Sequence, residues 1–79
     1  MNNMYVVQLR GAKVFGGYSN VAIIKSLDDL DKVRKSIKER TGLEFSELAS
    51  VRFNGLVEFD NVSDEREIKL HVELVEVVE

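Results

Sequence analysis

The chain has 79 residues and a mass of 9.0 kDa, which is enough for a single domain spanning residues 1–79. With 44% hydrophobic and 32% charged residues and a net charge of −3, the composition is typical of a folded chain. The absence of cysteine excludes disulfides, thiolate catalysis and cysteine-based zinc sites. The sequence also lacks a signal-peptide pattern and a long apolar run, so we expect a cytoplasmic protein with no membrane span.

The amino-terminal part predicts a β-hairpin. Residues 4–15 and 21–25 are rich in β-branched and aromatic side chains, and Gly16-Gly17 between them is typical of a two-residue turn. The apolar alternation loses its phase at Arg10-Gly11, and a β-bulge there would restore it. The inner face is then predicted to hold Val7, Leu9, Ala12, Val14, Val21 and Ile23. The outer face is predicted to hold Gln8, Lys13, Phe15, Tyr18, Asn20, Ala22 and Ile24.

The next segment predicts one α-helix. Ser26 with Asp29 three residues later fits a capping-box variant, and Gly42 is a typical helix terminator. Acidic residues fall near the amino-terminal end and basic residues near the carboxyl-terminal end, as the helix dipole favours. The apolar stripe of this helix consists of Leu27, Leu30, Val33, Ile37 and Thr41.

The second half predicts two further strands. Residues 43–50 fit either a short helical turn or the start of a strand. Apolar alternation runs without a break from residue 51 to 60, so we expect one strand there despite the hairpin signal Asn54-Gly55. Residues 68–75 alternate in the same way. The fold class is therefore α+β in the order ββαββ, a four-stranded mainly antiparallel sheet with one helix packed on one face.

The hairpin tip is the first candidate binding site. A two-residue turn would place Phe15 and Tyr18 opposite each other, and exposed aromatic side chains make effective protein contacts. The alternative is a cross-strand aromatic pair that only stabilises the hairpin. The predicted contact residues are Phe15, Gly16, Gly17, Tyr18 and Asn20.

The charges are unevenly distributed along the chain. Residues 1–40 carry eight basic and four acidic side chains, whereas residues 41–79 carry three basic and ten acidic ones. Arg34, Lys35 and Lys38 could form a basic helix face for an anionic partner. The alternative is a solvated face whose bases meet the acids of the second half. The acidic total disfavours a nucleic-acid partner.

Residues 74–78 carry apolar side chains on both faces of one predicted strand. This pattern is typical of a strand buried on both sides, so we expect a homo-oligomer formed by edge pairing or by stacking of open sheet faces. A frayed terminus is the alternative. The predicted oligomer contacts are Ile24, Leu56, Val75, Val77 and Val78.

Catalysis is not expected. His71 is the only histidine and alternates onto the outer, exposed face between Lys69 and Glu73. The sequence shows no pairing of a nucleophile with a base, and the helix dipole accounts for the aspartates at the helix start. We therefore expect no enzyme activity, no catalytic residue, no metal and no cofactor.

The first functional hypothesis is a small non-enzymatic protein, an inhibitor or adaptor, that acts by occupying the surface of a partner protein. The alternative is a homo-oligomer that binds or sequesters a small ligand between subunits, with Phe15 and Tyr18 stacking on that ligand. A third hypothesis is a nucleic-acid binder that uses the basic helix. In size and composition alone, the chain resembles the one-domain accessory proteins that phages and mobile elements encode.

Overall fold

In the computed structural model, one antiparallel sheet carries a single helix on one face. The structure describes residues 2–11, 17–53 and 56–77. Within these ranges the sheet order is β2-β1-β5-β4-β3, and a short 3-10 turn, Leu27–Asp29, leads into helix α1, Leu30–Thr41. The strands are β1 (Asn2–Gly11), β2 (Tyr18–Ile24), β3 (Ser50–Phe53), β4 (Leu56–Asp60) and β5 (Ile68–Val77). The predicted α+β class, with one helix covering one face of an antiparallel sheet, is confirmed.

The expectation of one unbroken strand over residues 51–60 is wrong. β3 and β4 pair antiparallel, with Phe53 opposite Leu56, so the third predicted strand is folded back as a hairpin. The sheet therefore has five strands rather than four. A register shift between Val51 and Phe53 places Val51 opposite Val57.

The predicted hairpin of β1 and β2 exists, but its turn and its bulge are elsewhere. Tyr18 lies opposite Arg10 rather than opposite Phe15, so the predicted two-residue turn at Gly16-Gly17 is wrong. β1 pairs with β5 in continuous register through Gly11, so no bulge lies at Arg10-Gly11. The bulge is in β2, where Val21 is the extra residue between the partners of Val7 and Gln8.

This bulge reverses the predicted faces of residues 21–24, whereas Tyr18 and Asn20 keep the predicted outer face. Ala22 and Ile24 pack into the core, whereas Val21 and Ile23 are exposed. Ile24 was expected on the outer face and Ile23 on the inner one, and both assignments are wrong because the phase changes within β2. Predicted face positions at residues 12–15 lie outside the described residues.

Glycine is needed at position 11 because the backbones of Gly11 and Glu67 approach closely, not because of a bulge. A Cβ atom added at this position would collide with the backbone carbonyl oxygen of Glu67, next to the start of β5. Only glycine allows the two backbones to come this close.

The core lies between α1 and the covered face of the sheet. It is dominated by side chains from the central strands, since β5 lies between β1 and β4 from Lys69 to Glu73. Past Glu73, β5 is paired with β1 alone. The buried core residues are Val7, Ile24, Leu30, Val33, Ile37, Leu43, Phe45, Phe59, Ile68, Leu70 and Val72.

The predicted helix end at Gly42 is confirmed, but the α-helix starts at Leu30, after the 3-10 turn that Ser26 caps, and Asp29 makes no capping hydrogen bond through its side chain. The Ser26 hydroxyl accepts a hydrogen bond from the Asp28 N–H at 3.2 Å, and Gly42 ends the helix with a left-handed φ of 78°. The buried stripe is shorter than predicted, because Leu27 and Thr41 are both exposed. Among the described residues, no helix is long and apolar enough to cross a membrane.

Candidate functional site

β2 is a free edge of the sheet. It pairs with β1 on one side, and no other described strand pairs with its second side. None of its seven residues is charged, although exposed edges in natural proteins are usually protected by charged residues or proline. Tyr18 is 53% exposed and Ile23 67% exposed, so the edge presents large apolar side chains together with unpaired backbone groups.

An apolar patch on the open sheet face adjoins this edge. Ile23 lies opposite Val6 on β1, and Met4, two residues before Val6, lies opposite Val75 on β5. Sequence reasoning put Ile23 on the inner face because it placed the bulge at Arg10-Gly11 instead of Val21, and it did not assign Met4 or Val6 to a contact surface. A depression of about 250 Å³ lies between Val6 and the β2 bulge. We call Met4, Val6, Ile23 and Val75 the open-face patch.

The predicted tip residues are only partly described. Gly17 has a left-handed φ of 84°, and the ring of Tyr18 has the Arg10 guanidinium 5.9 Å from its centroid. The Asn20 side chain accepts a 2.7 Å hydrogen bond from Gln8, so its amide oxygen is engaged within the sheet. Phe15 and Gly16 lie outside the described residues.

The three residues of the predicted basic helix face differ in their interactions. Arg34 donates to the backbone carbonyls of Phe45 and Ser46 at 3.0 and 2.8 Å. Lys38 forms an ion pair with Glu44, whose hydrogen bond and negative charge raise the pKa of that ammonium group. Lys35 is exposed. These three bases therefore do not form one uncompensated cationic face.

A groove runs along the other side of α1, between the helix and β2. Its volume is about 370 Å³. Leu9, Ala22, Val33 and Ile37 supply its apolar lining, and Lys32 and Arg40 supply its charged lining. We call this cavity the α1–β2 groove. The excess of basic over acidic side chains in residues 1–40 is visible in the sequence. The sequence did not show that Lys32 and Arg40 would lie beside a free edge of the sheet.

The predicted oligomer contacts are separated by the fold. Ile24 belongs to the core, and Leu56 is also buried, so neither offers an exposed surface in this chain. Val75 is 39% exposed and lies in the part of β5 beyond β4. Val77 pairs with Asn2 through its backbone, while its side chain and the whole of Val78 lie outside the described residues.

His71 is on the open face as predicted, but it is buried rather than exposed. Its residue exposure is 3%, because it sits on the central strand β5 between Gln8 of β1 and Glu58 of β4. Nδ1 lies 3.6 Å from Glu58 Oε2, and Nε2 lies 3.9 Å from Glu73 Oε2. Neither ring nitrogen has a hydrogen-bond partner among the residues that the structure describes. In the described ranges, no three acidic or histidine side chains group to hold a metal ion.

The fold and the exposed surfaces define a small α+β domain with an uncovered sheet face and an uncharged free edge. Comparisons of the chain with protein-family models, curated proteins and solved structures find no match. A fold of this class does not by itself specify an activity. The function must therefore be argued from the edge, the open-face patch and the α1–β2 groove.

Proposed function

We propose that this protein is a non-enzymatic binding domain that occupies the surface of a partner protein by pairing with an extended segment of it along β2. The observation that carries this proposal is the uncharged, exposed edge formed by Tyr18–Ile24. An extended segment added to such an edge gains backbone hydrogen bonds, and pockets for alternate side chains give specificity. Either an inhibitor or an adaptor could work in this way, and a cysteine-free chain suits the cytoplasm.

The surroundings of β2 support the same mode of binding. One side of the edge borders the open-face patch and the other borders the α1–β2 groove. Side chains of an added strand would alternate between the open-face patch and the α1–β2 groove, since successive residues of a strand point to opposite faces. The added strand would cover the exposed side chain of Ile23 on the open sheet face and the exposed side chain of Val21 along the edge.

The geometry around His71 supports the non-enzymatic part of the proposal. Both ring nitrogens lie beyond hydrogen-bond distance of the neighbouring carboxylates. Burial also keeps the imidazole away from a substrate in solvent. A general base needs direct contact with the proton that it removes.

Self-association is the second candidate function, and the exposed apolar side chain of Val75 supports it. Beyond β4, residues 74–77 of β5 have β1 on one side and no described strand on the other. A second copy could pair there or at β2, and a small ligand could then bind between the subunits. Light scattering after size-exclusion chromatography, over a tenfold dilution at micromolar concentration, tests this candidate. A constant mass near 9 kDa would exclude it.

Selection from a displayed library of random dodecapeptides tests the main proposal. We expect the selected peptides to shift the backbone amide resonances of β2 in ¹⁵N-edited NMR spectra. Ile23→Lys places a charge on the edge and should weaken their binding at least about tenfold, the effect of one lost buried side chain at an interface. Leu48→Lys, at an exposed apolar residue far from β2 in sequence, is the matched control and should bind normally.

Peptides that bind Ile23→Lys as well as wild type, with resonance shifts confined to α1, would contradict the edge as the binding site.

A further inference from the structure

We infer that the partner segment that pairs with β2 is acidic, with two carboxylate side chains four residues apart that meet Lys32 and Arg40 across the α1–β2 groove. This inference rests on the proposed function, because it assumes that an extended segment adds to β2. It goes further by assigning the chemistry of that segment from the charges beside the edge.

The charges of the α1–β2 groove are of one sign. Lys32 and Arg40 line it, and no acidic side chain does so among the described residues that form its walls. Lys32 contacts Asp29 only at 3.9 Å, with the lysine side chain 86% exposed. In the described part of the chain, Arg40 has no carboxylate within 4.0 Å. Both cations are therefore available to a partner.

The groove on the opposite side of α1 shows the contrast. It is larger, at about 680 Å³, and has both signs of charge in its walls. Lys38 is paired there with Glu44, and Arg34 is bound to backbone carbonyls. Its charged lining residues are Asp31, Arg34, Lys35, Lys38, Glu44 and Glu47. An anionic segment is thus attracted to the α1–β2 groove rather than to this one.

The spacing of the two cations sets the spacing of the acids. Lys32 and Arg40 are eight residues apart, which is about 12 Å along a helix at 1.5 Å per residue. Residues four apart in an extended strand point the same way and are separated by about 13 Å. The residue midway between them would point at Ser36 and the apolar floor formed by Val33 and Ile37. An apolar side chain suits that position.

These distances define a probe peptide. The sequence TEVIVET places two glutamates and the central isoleucine on the groove side, and two valines on the side of Ile23. The neutral peptide TQVIVQT and the cationic peptide TKVIVKT are its matched controls. Each peptide is labelled with fluorescein through a soluble Gly-Ser tail, and binding is followed by fluorescence anisotropy and by the NMR shifts of β2.

We expect the acidic peptide to bind wild-type protein about 2- to 30-fold more tightly than the neutral one, as two exposed ion pairs allow. The difference should shrink as salt rises from about 50 to 300 mM, because salt screens exposed charges. Lys32→Glu combined with Arg40→Glu should reverse the order and favour the cationic peptide. Lys35→Glu combined with Lys38→Glu changes the net charge equally on the other side of α1 and should preserve the order.

The outcomes separate the two claims. Equal binding of all three peptides, with shifts in β2, would overturn the acidic partner and leave strand addition intact. A preference for the acidic peptide that both double variants lose equally would also overturn it, since the effect would then come from net charge. If no peptide shifts β2, strand addition itself is wrong, and the acidic-partner inference is overturned with it.

Discussion

The guanidinium group of Arg34 lies over the ring of Phe59, 4.3 Å from the ring centroid. The same group donates to the carbonyls of Phe45 and Ser46, so one side chain of α1 holds both β4 and the segment between α1 and β3. A cation over an aromatic face and two charged hydrogen bonds are both stabilising interactions. Arg34 therefore has a structural role, although the sequence pattern placed it on a partner-binding face.

We expect Arg34→Ala to lower the free energy of unfolding by about 1–3 kcal/mol, because two backbone acceptors lose a charged donor. Arg34→Lys should recover only part of this loss, since an ammonium group cannot donate as a planar fork. Urea denaturation followed by circular dichroism measures both. The neighbouring exposed variant Lys35→Ala is the control and should change stability by less than about 0.5 kcal/mol. Equal stability of Arg34→Ala and Lys35→Ala would show that the Arg34 contacts contribute nothing.

Truncating Ile37 to alanine should lower the free energy of unfolding much more than truncating Tyr18. Ile37 is buried in the core, so we expect Ile37→Ala to cost about 2–5 kcal/mol of stability. Tyr18 is half exposed with only an Arg10 contact to its ring, so Tyr18→Ala should cost less than about 1 kcal/mol. Urea midpoints of the two variants make the comparison. Similar losses for both would mean that the Tyr18 ring is buried in solution.

Replacing His71 by leucine should raise stability. The imidazole is buried without a hydrogen bond to either nitrogen, and an unsatisfied buried polar group costs about 1–3 kcal/mol. Leucine has a similar volume and no polar atoms, so His71→Leu should stabilise the fold by about 1 kcal/mol. Thermal and urea unfolding at pH 7 measure the change. His71→Asn keeps a polar group at the site and serves as the control that should not stabilise. A loss of stability in His71→Leu would show that Glu58 or Glu73 interacts favourably with the ring.

Asp64 should titrate well below an ordinary aspartate. Side-chain and backbone hydrogen bonds from Arg66 lower the pKa of its carboxyl from 3.8 to about 2. The folded state thus gains stability from ionised Asp64 above pH 3.8, and this gain disappears as the pH falls toward about 2. ¹³C NMR of the carboxyl carbon gives the pKa directly. In Arg66→Ala it should rise toward 3.8, and an unchanged value would exclude Arg66 as the cause.

Local signals predicted the helical segment well, but they were misread at two turns, since Gly16-Gly17 was taken as a two-residue turn and the hairpin signal Asn54-Gly55 was rejected. Ser26 and Gly42 mark the two ends of the helical segment through hydrogen bonding and φ preference alone, without any information from other strands. The faces of the central strands β4 and β5 also followed from alternation. These features depend on residues that are neighbours in the chain.

The remaining features depend on residues that are distant in the chain. Alternation is unchanged when a bulge moves from Gly11 to Val21, so it could not decide whether Ile23 or Ile24 faces solvent. It also assigned His71 to a face without showing that Gln8 and Glu58 would flank it. The free edge at β2 follows from strand order, which pairs β1 with β5 across most of the sequence.

The bulge at Val21 also bears on amyloid formation. β2 is seven residues long and uncharged and ends in the apolar run of residues 21–24, and short uncharged segments of high β-propensity can stack into cross-β fibrils. In such fibrils identical segments stack in register through a regular period of backbone hydrogen bonds. Val21 interrupts that period in the middle of the strand, leaving three residues on each side. The bulge therefore disfavours in-register stacking of identical β2 strands along this edge.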